Sequence, residues 1–212
     1  MKSLEKLAYL PYFTIQAVNQ LIGGSMASTR LLLSRQEKSG KIIRLKRSDY
    51  MSREFWLEHK NEPDFLTMVS AIIQPHSYLT GAWALQNHGV MTEGIYLLTG
   101  VTLKHTRSIK NKLAGWHFFH IKEKFFNGFV EKNINGIVCR KASAPKALFD
   151  WFYFRSEHPG LNNKDFDLAE DERLNLEEWD KTMKAEFFRL TEKSGSPKMK
   201  RIAKNLKEKI WG

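Results

Sequence analysis

The sequence predicts an α+β protein, with a small basic helical unit at its start, a larger mixed domain after it and a basic helix at its end. Three observations predict this. Two short helical patterns in the first forty residues are separated by Gly23-Gly24 and followed by a switch to β-branched alternation. Beyond residue 52, helical and strand-like stretches mix without a repeating strand–helix–strand unit, which points to α+β rather than α/β. The net charge of +11 sits at the two ends. Residues 1–51 hold nine Lys/Arg against three Asp/Glu, and residues 193–212 hold seven against one, so the middle is nearly neutral.

At the N-terminus, residues 3–9 are expected to form a short helix stopped at Leu10-Pro11. Thr14 is an N-cap, because its hydroxyl can accept an orphan backbone N–H. Ile15, Val18, Leu21 and Ile22 follow at helical spacing. Gly23-Gly24 end that helix, since glycine takes the left-handed turn without steric cost. Ser25 caps a second helix, expected from Met26 to Ser39 with Gly40 as its stop. Thr29, Leu32, Leu33 and Gln36 form its packing face, while Ser28, Arg30, Ser34, Arg35 and Lys38 lie largely opposite. Lys41 to Arg47 reads as a strand, Ser48-Asp49 as a turn and Tyr50-Met51 as the returning strand. Two helices joined by a tight glycine turn match the helix-turn-helix pattern. The hairpin directly after them makes residues 1–52 a winged helix-turn-helix.

The polyanion that such a basic unit fits is double-stranded DNA. A recognition helix touches base edges near its N-terminal end, which makes Arg30 the candidate for bidentate reading of guanine. Ser25 and Ser28 suit phosphate at a helix N-terminus, and Arg44, Lys46 and Arg47 suit phosphate along the wing. The DNA-binding set is Thr14, Ser25, Ser28, Thr29, Arg30, Ser34, Arg35, Lys38, Lys41, Arg44, Lys46 and Arg47.

Residues 53–212 form the second domain. Tyr78 to His88 reads as a helix with Leu79, Ala82, Trp83 and Leu85 on one stripe, which makes Trp83 core. Ile95–Leu103, Trp116–Ile121 and Ile134–Val138 read as strands. Lys146–Arg155 reads as an aromatic helix with Pro145 in its first turn. An acidic stretch from Asp165 to Asp180 reads as a solvated loop leading into a helix over Leu176–Thr191. Ser194-Gly195-Ser196-Pro197 is a break. Met199, Ile202, Ala203, Leu206 and Ile210 then give a basic amphipathic helix (residues 193–212) one apolar face. Such a helix binds a membrane surface, nucleic acid or a partner; docking on the body is the commonest reading, and extension of the DNA footprint by its charge is the alternative.

Several segments resemble the AbiEi-type antitoxins and transcriptional regulators of abortive-infection, type IV toxin–antitoxin systems. They are Leu10-Pro11-Tyr12-Phe13-Thr14, Leu33-Ser34-Arg35, Gly40 to Arg47 with Tyr50, His76 to Gly89, Thr99 to Thr106, and Ala142 to Asp150 with Trp151-Phe152-Tyr153. Together they cover roughly residues 8–156. One departure is Ser48-Asp49, where that family often has a glycine before the wing tyrosine. The resemblance implies an autorepressor, bound to its operator as an inverted repeat, that acts as antitoxin to a nucleotidyltransferase toxin without requiring direct contact.

No constellation in the sequence makes an enzyme the expected reading. His88, His105, His117 and His120 lack the cysteine pair or acidic partner that would complete a zinc set, and on a strand His117 and His120 point to opposite faces. No nucleophile elbow or phosphate loop occurs. Lys146 and Asp150 are spaced for an i,i+4 ion pair. Cys139 is flanked by Arg140 and Lys141, an arrangement that can lower a thiol pKa, but lone cysteines are more often inert and it is assigned no role; as the single cysteine it forms no internal disulfide and fits a reducing cytosol. The acidic stretch lacks the strand-borne acids and lysine of a metal-dependent nuclease. No apolar run reaches membrane-spanning length, and Met1 to Lys6 lack a signal-peptide core. The expected function is a cytoplasmic, cofactor-free, sequence-specific DNA-binding regulator that does not engage a membrane. A protein-interaction adaptor on the same scaffold is the alternative, and a metal-dependent nuclease a further one.

Overall fold

The computed structural model describes residues 7–92 and 97–212. They form a mixed α+β protein with nine α-helices and two sheets among the described residues. The chain divides into two compact units. The first holds the described residues through Pro75, with Ile109–Gly115 and Lys132–Cys139; the second holds His76–Ser108, Trp116–Glu131 and Arg140–Gly212. The expected boundary after residue 52 falls inside the first unit, which also keeps the helices that follow the hairpin.

The first unit opens with β1 (Phe13–Thr14), α1 (Ile15–Ile22), α2 (Met26–Lys38), β2 (Ile42–Lys46) and β3 (Asp49–Ser52). The short β1 escaped the sequence reading, because two residues carry no period. It pairs antiparallel with β3, placing Phe13 opposite Tyr50, so the sheet order is β1-β3-β2. The turn sits at Arg47-Ser48 rather than Ser48-Asp49, and Asp49 already belongs to β3. Residues 7–9 form a turn and the rest of the expected 3–9 helix lies outside the described residues. Leu7, Phe13, Ile15, Val18, Leu33, Ile42 and Tyr50 make one buried cluster. Each such side chain stabilises by roughly 1.5–3 kcal/mol on full burial. Helices α3 (Arg53–His59) and α4 (Phe65–Ile73) follow.

The remaining strands are β4 (Ser77–Thr80), β5 (Leu97–Thr102), β6 (Arg107–Lys110), β7 (Gly115–His120), β8 (Phe129–Ile134) and β9 (Ile137–Ala142). They form one sheet of order β6-β7-β5-β4-β9-β8, with β4 antiparallel to β5 and parallel to β9. Two expectations need correction. Ser77–Thr80 is a strand inside this sheet, and the helix α5 (Gly81–Asn87) starts only after it. All four strand residues are buried, so a strand covered on both faces shows no alternation and mimics a helix stripe. Ile134–Val138 is not one strand either. Asn135 and Gly136 take φ of 51° and 81°, the tight hairpin turn between β8 and β9. Ile95, expected to open a strand, lies outside the described residues, and β5 begins at Leu97.

The second unit is completed by α6 (Ala144–Phe154), the short α7 (Leu168–Asp171), α8 (Lys181–Ser194) and α9 (Pro197–Lys209). Helix α8 starts at Lys181, not Leu176, because the Asp180 carboxylate accepts from Met183 N–H at 2.8 Å and caps it there. Leu176 and Trp179 are nevertheless buried ahead of the helix. Gly195 breaks the chain in the left-handed region, and α9 docks through Met199, Ile202, Ala203 and Leu206. Its ends are pinned by polar bonds. Lys198 Nζ donates to the carbonyls of Tyr153 and Arg155, and Trp211 Nε1 donates to Leu176 O. Arg201 pairs with Glu157 and holds its carboxyl below the usual range. No helix is long and apolar enough to cross a membrane, among the described residues.

Candidate nucleic-acid interface

The first unit builds a cationic surface from local rules. Thr14 accepts from Ala17 N–H at 3.1 Å and starts α1. The turn to α2 runs through Gly23 and Gly24, with φ of 68° and 95°. Such angles favour glycine, so this junction tolerates few other residues. Ser25 then caps α2, accepting from Ser28 N–H at 3.1 Å, while Ser28 Oγ donates to Ser25 O at 2.7 Å. Both serines remain exposed at the N-terminus of α2.

The two helices are locked by Thr29. It is fully buried, and its hydroxyl lies 3.1 Å from Asn19 Oδ1 and 3.2 Å from Ser25 O, a donor that reaches both. Thr29 therefore belongs to the helix–helix contact and presents nothing to a ligand, which corrects its place in the expected DNA-binding set. Beside it Leu33 is buried against the cluster around Val18. The opposite side of α2 exposes Ser28, Arg30, Ser34, Arg35 and Lys38, and Lys41 follows just beyond its end. Among the described residues Arg30, Arg35, Lys38, Lys41 and Arg47 have no acidic partner.

The hairpin departs from the expected arrangement in two places. Lys46 is not available to a ligand: it pairs with Asp49 at 3.0 Å and donates to the carbonyls of Ile72 and Ile73 at 2.7 and 3.2 Å. That ties β2 to the end of α4, where the last carbonyls have no partner within the helix. Arg44 reaches over its own turn, donating to the carbonyls of Lys46 and Arg47 at 3.3 and 3.1 Å, and remains exposed. Arg47 is left at the tip with its guanidinium in solvent. Sequence patterning could not separate Lys46 from Arg47, because the partner carbonyls lie 26 and 27 residues away.

The second unit contains a buried polar cluster that the sequence reading saw only as a local pair. Lys146 and Asp150, one turn apart on α6, make a 2.7 Å ion pair with both side chains fully buried. Tyr78 Oη and Thr80 Oγ1, from β4, donate to the other carboxylate oxygen at 3.0 and 2.9 Å. Burial pushes the Asp150 carboxyl above its usual range, an effect offset by Lys146 and the two hydroxyls. Burial and the neighbouring carboxylate push the Tyr78 hydroxyl well up. The backbone of Gly128, at φ 74°, lies so close to Lys146 that a Cβ there would meet its Cγ at 2.9 Å. The cluster fastens α6 to β4 through four polar side chains. Its four members come from the His76–Gly89 and Ala142–Asp150 segments.

Cys139 is buried, and burial raises its thiol to about 11, contrary to the lowering that its basic neighbours suggested. After burial, the charges that shift it are Asp64, upward, and Lys132, downward. Among the described residues no three His, Cys, Asp or Glu side chains gather as a metal set. His117 instead bonds Ser108 Oγ at 2.7 Å, and His120 Nδ1 lies 3.2 Å from the carbonyls of Leu103 and Lys104. Comparison with known proteins finds no family model and no curated protein that matches the chain.

Proposed function

We propose that this protein is a sequence-specific, double-stranded DNA-binding regulator in which the helices α1 and α2 and the hairpin β2–β3 of the first unit form a winged helix-turn-helix. In this reading α2 enters the major groove with Arg30 toward a base edge, and Ser25 and Ser28 hold phosphate at its N-terminus. Arg44 and Arg47 on the hairpin grip the backbone, with Arg35, Lys38 and Lys41 adding charge at the other end of α2. The observation that carries it is the exposed face of α2, where cations without an acidic partner stand beside the capping Ser25 and the exposed Ser28. A cation already paired within the protein gains less from phosphate, so unpaired ones are the useful ones. The segments that resemble AbiEi-type regulators add two further proposals: the protein represses its own operon, and it is the antitoxin of a nucleotidyltransferase toxin.

The test is a nuclease-protection assay on the DNA upstream of the protein's own gene. A discrete protected site, reading as an inverted repeat, is expected. Arg30→Ala should relax the sequence preference at one position, whereas Arg47→Ala should weaken all DNA about equally. Protection spread evenly over any DNA sequence would contradict the reading.

A further inference from the structure

Leu31 is the residue on α2 that neither packing nor charge explains. It is 53% exposed, and it lies between Ala27 and Arg35, one turn to either side, on the face turned away from the core. The packing side of the helix is already filled by Thr29 and Leu33. Ala27, one turn earlier, is exposed too, so the two form a short apolar stripe at i, i+4 along a polar surface. An amphipathic helix carries polar residues on the face turned from its core, and Leu31 departs from that pattern.

We propose that Leu31 reads the 5-methyl group of thymine in the major groove. This rests on the DNA-binding reading above and names a further specificity determinant within it. The thymine methyl is the apolar feature that the major groove displays, and an aliphatic side chain is its natural complement. Direction fits as well as chemistry. Side chains on a helix lean toward its N-terminus, so Leu31, sixth in α2, covers the turn around Ala27 and Ser28. That is the end of a recognition helix that meets base edges. Arg30 beside it then supplies the polar half of a two-base reading.

The experiment replaces each thymine of the protected site by uracil, one at a time, which removes one methyl group and leaves base pairing intact. Binding is followed by fluorescence anisotropy. The wild-type chain is expected to lose about three- to fivefold in affinity at one or two positions, the scale of one buried methyl group. Leu31→Ala, a surface change that leaves the fold intact, is expected to bind more weakly and to be indifferent to uracil at those same positions. Arg30→Ala should keep the uracil sensitivity. Tolerance of uracil at every position, by a wild-type chain that still selects its site over scrambled DNA, would overturn the inference while leaving the DNA-binding reading intact. So would a Leu31→Ala chain that keeps the uracil sensitivity but sediments at a lower mass, which would make Leu31 a contact between copies of the chain. Failure of the wild-type chain to prefer its upstream DNA would remove the reading itself, and this inference with it.

Discussion

At the scale of single residues, the pair Lys146–Asp150 puts two charges in the interior, both fully buried. Moving one charge out of water is expensive, and mutual attraction with full hydrogen bonding offsets it. Here Tyr78, Thr80 and Lys146 together occupy both carboxylate oxygens. Removing one partner leaves the other uncompensated, so Lys146→Met is expected to destabilise by about 3–5 kcal/mol in urea unfolding. Lys146→Met paired with Asp150→Leu should recover much of that loss; a single variant unfolding at the wild-type midpoint would refute the account of this cluster. Cys139 gives a pH-dependent expectation. With its thiol at about 11, only about one molecule in a thousand carries thiolate at pH 8, so a thiol-reactive dye should label it slowly until the chain unfolds. Because the folded value lies above the ordinary 9.0, the stability linked to this group is complete below pH 9. It is lost as pH rises toward 11, and a denaturation midpoint that climbed over that interval would run against this sign.

At the scale of elements, capping decides where helices begin, and much of it was legible in the sequence. Thr14, Ser25, Ser143 and Ser196 each accept a backbone N–H from the third residue of the helix they precede, and of these Thr14 and Ser25 are legible as caps in the sequence. Ser25→Ala should cost about 1 kcal/mol of stability and weaken DNA binding too, since the same serine stands at the proposed phosphate contact. A thermal shift with unchanged affinity would separate the cap from the contact. The N-terminal helices, the hairpin strands, the aromatic helix α6 and the docked tail could be read because their periods are local. What could not be read depends on distant partners. Ser77–Thr80 looked helical because a strand buried on both faces has no alternation. The hairpin turn at Asn135-Gly136 was hidden by apolar residues on either side, although Asn-Gly is itself a turn signal. In the candidate site, the cations of α2 were legible from spacing alone. The withdrawal of Lys46 to Asp49 and the end of α4, and the burial of Thr29 against Asn19, were not.

At the scale of the whole molecule, the basic excess has two different fates. In the first unit Arg30, Arg35, Lys38, Lys41 and Arg47 keep no acidic partner among the described residues, and this is the charge the functional reading uses. In the second unit part of the tail's charge is engaged in structure, with Lys198 capping carbonyls at the end of α6 and Arg201 held by Glu157. Net charge alone therefore overstates what a polyanion would meet. The most direct measurement of the central claim is competition between the upstream DNA and a scrambled duplex of equal length, repeated over a range of salt. The upstream site is expected to be preferred by about a thousandfold or more at moderate salt. Affinity is also expected to fall with salt at a logarithmic slope of about −4 to −6, the release of counterions by the free cations of the first unit. Equal affinity for the two duplexes, or a slope near zero, would contradict it.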